Sequence, residues 1–150
     1  MRYFDTSFLV PLFMDEAASD LVVDYFSALS PNECATSQWT RLEFGSLIGI
    51  RVRRKQLDAE QAQRVERSLD SFLASFTMLE VEPPEIDLAS AMMREHSVGL
   101  RAGDALHLAT ASNRAISPFL SLDKAVIRAG RHFGIDATAA IPLAGYEQLQ

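Results

Sequence analysis

The chain has 150 residues, 48% of them hydrophobic, which suits one globular domain with a core of ordinary size and excludes a disordered chain. No apolar run approaches the roughly 18 residues of a membrane helix. The N-terminus lacks the basic and long apolar regions of a secretory signal. Cys34 is the only cysteine, so neither an internal disulfide nor a cysteine zinc site forms, and a reducing cytoplasm is the expected setting. The formal charge of -6 argues against gripping nucleic acid by bulk charge; any such contact must come from local basic patches.

Met1 to Phe4 reads as a short buried strand that carries Asp5 to its C-terminal tip, the edge at which open parallel sheets bind ligands. A short helix follows from Ser7 to about Phe13, with Ser7 as its cap. Asp15 and Glu16 open a second helix, to about Leu29, in whose first turn the dipole favours acids. Its stripe is Leu21, Val22, Tyr25, Phe26 and Leu29. Ser30-Pro31-Asn32 is a turn, and Glu33 to Thr36 is a short strand. Ser37 then caps a long helix from Gln38 to about Lys55. On it Trp39, Glu43, Leu47 and Ile50 share one row. A carboxylate inside an apolar row is informative, although alone it reads as an acid at the core's edge, paired or turned to solvent. Arg51, Arg53, Arg54 and Lys55 make a dense basic run. It is either a phosphate-contacting edge or a solvated helix end whose cations suit the dipole.

Asp58 and Gln61 have capping-box spacing and open a helix to about Ser75, with Ala62, Val65, Leu69, Phe72 and Leu73 inward. It pairs antiparallel with the preceding helix as a helical hairpin. Phe76 to Val81 is the next strand, ended by Pro83-Pro84. Glu85-Ile86-Asp87 then starts a helix to about His96. Asp104 stands in the first turn of an alanine-rich helix. Small residues at 102, 103, 105, 109 and 111 let that helix lie close to a sheet and hold the acid at its edge. Taken alone, Asp104 is a helix-dipole acid or a cap. His107 reads as a core histidine with one hydrogen bond, in preference to a metal ligand or proton shuttle. Pro118 to Leu122 repeats the opening logic, a short apolar strand tipped by Asp123, before a helix from Lys124 to about Phe133. Lys124, Arg128 and Arg131 share a face of that helix and are candidates for phosphate contacts. Gly134 to Thr138 is a last strand, and the tail from Ala139 to Gln150 is peripheral.

Strands alternating with helices place the chain in the α/β class: a single domain over 1–150, with a mostly parallel central sheet flanked by helices. Four acids, Asp5, Glu43, Asp104 and Asp123, make sense together if the fold brings them to one site. Ionised and unpaired, such a group is costly. A divalent cation removes the conflict, and oxygen ligands suit Mg²⁺ or Mn²⁺ rather than zinc. Such ions at acidic sites support phosphoryl or phosphodiester chemistry. No serine or cysteine has a base partner for covalent catalysis, and no phosphate-cradling glycine motif is present.

The pieces Phe4-Asp5-Thr6-Ser7, Thr40-Arg41-Leu42-Glu43-Phe44, Gly103-Asp104-Ala105-Leu106-His107-Leu108-Ala109-Thr110-Ala111 and Leu120-Ser121-Leu122-Asp123-Lys124 occur in one order over residues 4 to 124. In this the sequence resembles PIN-domain ribonucleases of the VapC toxin type. The resemblance implies that Asp5, Glu43, Asp104 and Asp123 are the catalytic, metal-binding acids. It implies that Ser7 supports the site, and that Ser121 stands where the family usually has threonine. It further implies cleavage of RNA with Mg²⁺ or Mn²⁺, a homodimer, and a cognate antitoxin as partner. An RNA-processing nuclease without an antitoxin, and a non-catalytic RNA-binding module, are the alternatives. A phosphotransferase using Asp5 as nucleophile wants a second aspartate where Ser7 stands.

Overall fold

The computed structural model describes residues 1–149. Five short strands, β1 (Arg2–Phe4), β2 (Cys34–Ser37), β3 (Thr77–Leu79), β4 (Phe119–Leu120) and β5 (Ala137–Thr138), make one sheet in the order β3-β2-β1-β4-β5. Every neighbouring pair is parallel, as the alternation of strands and helices predicts. The helices are α1 (Thr6–Leu9), α2 (Ser19–Ser27), α3 (Gln38–Arg53), α4 (Ala59–Leu73), α5 (Pro83–Met93), α6 (Ala102–Asn113) and α7 (Lys124–His132). β1 lies at the centre with β4 beside it, so the turns after both strands emerge at the same edge. That edge receives Asp5 and Asp123.

Side chains alternate across the sheet with a period of two, and the two faces build two cores. Tyr3 stacks on Phe119, centroids 5.4 Å apart, in the core that holds α6 and α7. Phe4 and Leu120 point the other way, into a core with Phe8, Val22, Phe44 and Leu73. Burial of each such side chain contributes about 1.5–3 kcal/mol. Arg41, Gly45 and Ile48 of α3 face Asp70, Leu69 and Glu66 of α4, so these helices form the antiparallel hairpin expected.

Several boundaries differ from expectation, each for a local reason. Asp5, not Ser7, caps α1: its Oδ1 accepts from the Phe8 N–H at 3.0 Å. α1 is short because Pro11 turns the chain into a 3-10 turn over Val10–Leu12. α2 begins at Ser19 rather than Asp15. The Ser19 hydroxyl donates to the carbonyl of Pro11 and accepts from the Glu16 N–H, which holds residues 15 and 16 outside the helix. Ser37 occupies the cap position of α3 without a side-chain cap bond. Pro83 and Pro84 do not end a strand; they are the first residues of α5, where their missing N–H groups cost nothing. The fully buried row of α3 is Thr40, Phe44 and Ile48, one position on from the predicted row, so Glu43 lies on the half-buried flank.

The tail is not peripheral. Ala139 and Ile141 are buried. Arg131 donates from Nε to the Ala137 carbonyl at 2.8 Å and from a terminal nitrogen to the Gln148 carbonyl at 2.6 Å. The Arg131 guanidinium, a candidate for RNA contact, is thereby bonded to main-chain carbonyls and ties the tail to α7. Gln150 lies outside the described residues. Among those described, no helix is long and apolar enough to cross a membrane.

Candidate active site

Asp5, Glu43, Asp104 and Asp123, with Thr6, Ser7 and His107, line one cleft of about 220 Å³ at the C-terminal edge of β1 and β4. Four separate elements deliver the acids: the cap of α1, the flank of α3, the first turn of α6 and the cap of α7. The acids share the cleft without closing on a ready-made cage. Among the described residues no three acidic, cysteine or histidine groups gather as a metal-ligand set. Asp5, Glu43 and Asp123 are instead each held by hydrogen bonds from the protein.

Asp5 is 4% exposed. Its Oδ1 takes the Phe8 N–H and, at 2.7 Å, the Ser7 hydroxyl. Ser7 has one proton, donated to Asp5, so in the 3.1 Å bond between the two serines Ser121 is the donor. Ser7 also accepts from the Leu122 N–H and Ser121 from the Asp123 N–H. This hydroxyl pair links the turn after β1 to the turn after β4. Burial pushes the Asp5 carboxyl up to about 6, against the opposing pull of His107 and of the Ser121 and Ser7 hydroxyls. Asp123 caps α7, its Oδ1 accepting from Ala125 N at 2.7 Å and Val126 N at 3.4 Å.

Glu43 is gripped from the sheet side. His107, 2% exposed, lies 2.8 Å from Glu43 Oε2 through Nε2 and 2.8 Å from the Tyr3 hydroxyl through Nδ1. Burial holds the Tyr3 phenol above its ordinary range, so it keeps its proton in the bond with Nδ1. The Glu43 carboxylate can only accept, so Nε2 carries a proton and donates it to Glu43. Thr6 donates to the same Glu43 oxygen. Burial pushes the Glu43 carboxyl up, but the hydrogen bond and field of His107, with Thr6, outweigh it and hold it below the usual glutamate value. Asp104 goes the other way: burial raises it, and the nearby Asp123 and Glu43 carboxylates raise it further.

α6 comes close enough for this because residue 103 is glycine. A Cβ there would sit 2.5 Å from Glu43 Oε1 and 2.9 Å from Trp39 Nε1. The Trp39 indole N–H is buried and makes no hydrogen bond. Sequence reasoning placed His107 in the core but missed its two-sided bonding, and it missed Tyr3 and Thr6 altogether. Tyr3 precedes the acid by two positions, and an aromatic hydroxyl in a fully buried strand was the available signal.

Of the basic candidates, Lys124 borders the neighbouring pocket. Arg51 pairs with Glu16 at 3.4 Å, and Arg53, Arg54 and Lys55 are exposed at the end of α3. Arg128 lies in a separate depression beside Val98 and His132. None of them lines the acidic cleft.

Fold and site together define an α/β domain whose acids line a cleft at the C-terminal edge of a parallel sheet. The chain belongs to the PIN domain family, whose model matches residues 2–131. Among solved structures it is similar to a chain of FitAcB from Neisseria gonorrhoeae, with 18% identity and a TM-score of 0.71 over 87% of this chain and 94% of that one. It is also similar to VapC20 from Mycobacterium tuberculosis, described as a sarcin-ricin loop cleaving toxin, with 17% identity and a TM-score of 0.68 over 87% and 95%. A chain of VapBC2 from Rickettsia felis, bound to a promoter DNA fragment, gives 19% identity and 0.61 over 82% and 89%. At these identities the likeness is one of fold. Among curated proteins the sequence finds no match.

Asp5 carries a pH signature. Its carboxyl titrates near 6 when folded and near about 3.9 when unfolded. Below pH 4 both states are protonated and the folded state incurs no penalty. As pH rises toward 6 the unfolded chain releases its proton while the folded one retains it, and stability on the order of 2–3 kcal/mol is lost. Once the folded carboxyl has ionised, the loss is complete. Asp5→Asn keeps the cap acceptor and removes that loss. Urea unfolding in EDTA at pH 4.5 and pH 7.5 is expected to show the wild type losing more stability with rising pH than the variant does. Gly103→Ala is expected to push Glu43 off His107. Proton NMR would then lose the exchange-protected His107 Nε2–H signal while far-UV circular dichroism stays unchanged.

Proposed function

We propose that this protein is a divalent-metal-dependent endoribonuclease that hydrolyses RNA phosphodiester bonds, acting in the cytoplasm as the toxin of a toxin–antitoxin pair. The observation that carries the reading is the convergence of four carboxylates, from four elements, on one cleft in a chain of the PIN domain family. The donor set fits Mg²⁺ or Mn²⁺. Carboxylate oxygens are the hard ligands these ions take, and the raised Asp5 and Asp104 carboxyls mark a site where negative charge is costly until a cation arrives. Asp5, Glu43, Asp104 and Asp123 would hold it. The chemistry such an ion supplies when bound is activation of water and stabilisation of the charge that builds on the phosphate oxygens.

The chain's own residues do the positioning. The Ser7 and Ser121 hydroxyls and the helix cap fix Asp5 against the turn that carries Asp123. His107 and Thr6 fix one oxygen of Glu43. Preset groups of this kind avoid reorganisation at the moment of reaction, which is where much catalytic advantage arises. Toxin–antitoxin complexes among the similar folds support an antitoxin partner. A homodimer is supported by an apolar groove of about 250 Å³ lined by Trp39, Ile86, Ala89, Met93 and Leu106, with Ile86 48% and Met93 38% exposed. Isolated large apolar side chains are ordinary, but a grouped patch marks an interface.

Purified protein incubated with total RNA is expected to cut it in Mg²⁺ or Mn²⁺ and to fall silent in EDTA. Asp5→Ala should lower the rate by at least about 100-fold. Cleavage that survives both treatments overturns the reading. For the assembly, light scattering is expected to give twice the chain mass for the wild type and a shift toward the single-chain mass for Ile86→Glu. A wild-type monomer at all concentrations would reject it.

A further inference from the structure

A cavity of about 480 Å³, larger than the acidic cleft, adjoins it and shares Ser7, Val10, Leu47 and Asp123 with it. Its volume falls within the roughly 300–1,000 Å³ of small-ligand pockets. The assignment of the acids leaves its far wall unexplained. That wall is built by Lys124 and by Tyr146 from the tail. We propose that this cavity is a nucleotide subsite for the RNA strand. Lys124 takes the phosphate next to the scissile one, and the tail residues 145–149 act as a strap that positions Lys124. The proposal rests on the nuclease reading and extends it to substrate binding.

The strap is fastened at several points. The Tyr146 hydroxyl donates to the Leu122 carbonyl at 2.6 Å, one residue before Asp123. Arg131 holds the Gln148 carbonyl. The Leu149 carbonyl accepts from the Ala139 N–H at 2.7 Å and from the Thr138 hydroxyl at 3.0 Å. Gly145 turns the chain at φ +82°, and a Cβ there would lie 3.0 Å from Lys124 Nζ. The Lys124 ammonium sits 4.5 Å from the centre of the Tyr146 ring. A lysine is otherwise a flexible, solvated point charge. Here an aromatic face and a bare main chain hold it beside the acids.

The lining combines both charge signs with apolar side chains: Lys124 and Tyr146, Glu16 paired to Arg51 at 3.4 Å, and Val10, Leu47 and Leu122. A nucleotide entering it is oriented by charge. The phosphate goes to Lys124 rather than the acid Glu16, the sugar and base lie against Val10, Leu47 and Leu122, and the strand continues past the shared residue Asp123 into the cleft.

The test uses the full chain carrying Asp5→Asn, so that binding is read without cleavage. Fluorescence anisotropy follows a short labelled single-stranded RNA of mixed sequence across a salt series. Each phosphate that the protein ceases to neutralise on a single strand is expected to lower the slope of log affinity against log salt by about 0.7. Lys124→Ala should show that drop, and so should Tyr146→Ala. Tyr146→Phe keeps the ring under the ammonium and should retain the parent slope. Arg67→Ala, which removes the same charge from the exposed side of α4, should leave it unchanged. Melting curves confirm that each variant is folded. A Lys124→Ala slope equal to that of the parent, or no RNA binding by the parent, overturns the subsite. Cleavage by the wild type in a parallel reaction judges the nuclease reading separately: RNA cut by the wild type but bound identically by the Lys124 variant rejects the subsite alone.

Discussion

Asp5 ends the central strand with its carboxylate 4% exposed, and three more acids line the same cleft. Burial and like charge both oppose ionisation there, and the surrounding architecture answers that cost one oxygen at a time. Asp5 and Asp123 each use Oδ1 to cap a helix, so main-chain N–H groups offset part of their charge. The Ser7–Ser121 pair joins the two caps across the parallel β1–β4 pairing. The short apolar strands β1 and β4, paired in parallel, carry these turns to one edge.

The remaining charge is managed by close approach. α6 carries both Asp104 and His107, and it reaches the α3 flank only because Gly103 leaves room for Glu43 and Trp39. His107 then connects the sheet to the acid: Tyr3, at the middle of β1, bonds its Nδ1 and orients the ring whose Nε2 meets Glu43. The same strand thus supplies the Asp5 turn at its tip and, from its buried face, the orientation of a second acid. The packing of Tyr3 on Phe119 is therefore also a constraint on site geometry.

The charge distribution separates two tasks. The acidic cleft itself contains no lysine or arginine among its lining residues, which suits a site completed by a cation. Positive charge stands next door, at Lys124, and there the tail contributes through Tyr146. The strap closes the sheet edge beside β5, and Arg131, which follows Lys124 two turns along α7, commits its guanidinium to carbonyls and keeps it closed.

Much of the fold was legible from local pattern. Apolar runs tipped by Asp5 and Asp123, the Asp58–Gln61 capping box and the alanine-rich stretch around Asp104 each announce their element through nearest-neighbour physics, and alternation of strands and helices points to a parallel sheet joined by helical crossovers. The resemblance to PIN-domain ribonucleases rested on the stretches around Asp5, Glu43, Asp104 and Asp123. Local chemistry along the chain thus settles the inventory: which residues are acids at element ends, and that the elements form one α/β domain. Which side chain holds each acid is settled only in three dimensions. Tyr3 and His107 are 104 residues apart, Thr6 and Glu43 37, Ser7 and Ser121 114, and Leu122 and Tyr146 24. No local periodicity encodes such pairs, because hydrogen bonds between distant residues depend on where the sheet order and helix packing finally place them. The tail shows the same limit: its composition reads as a loose end, and only the carbonyls it presents to Arg131 and Thr138 make it a wall.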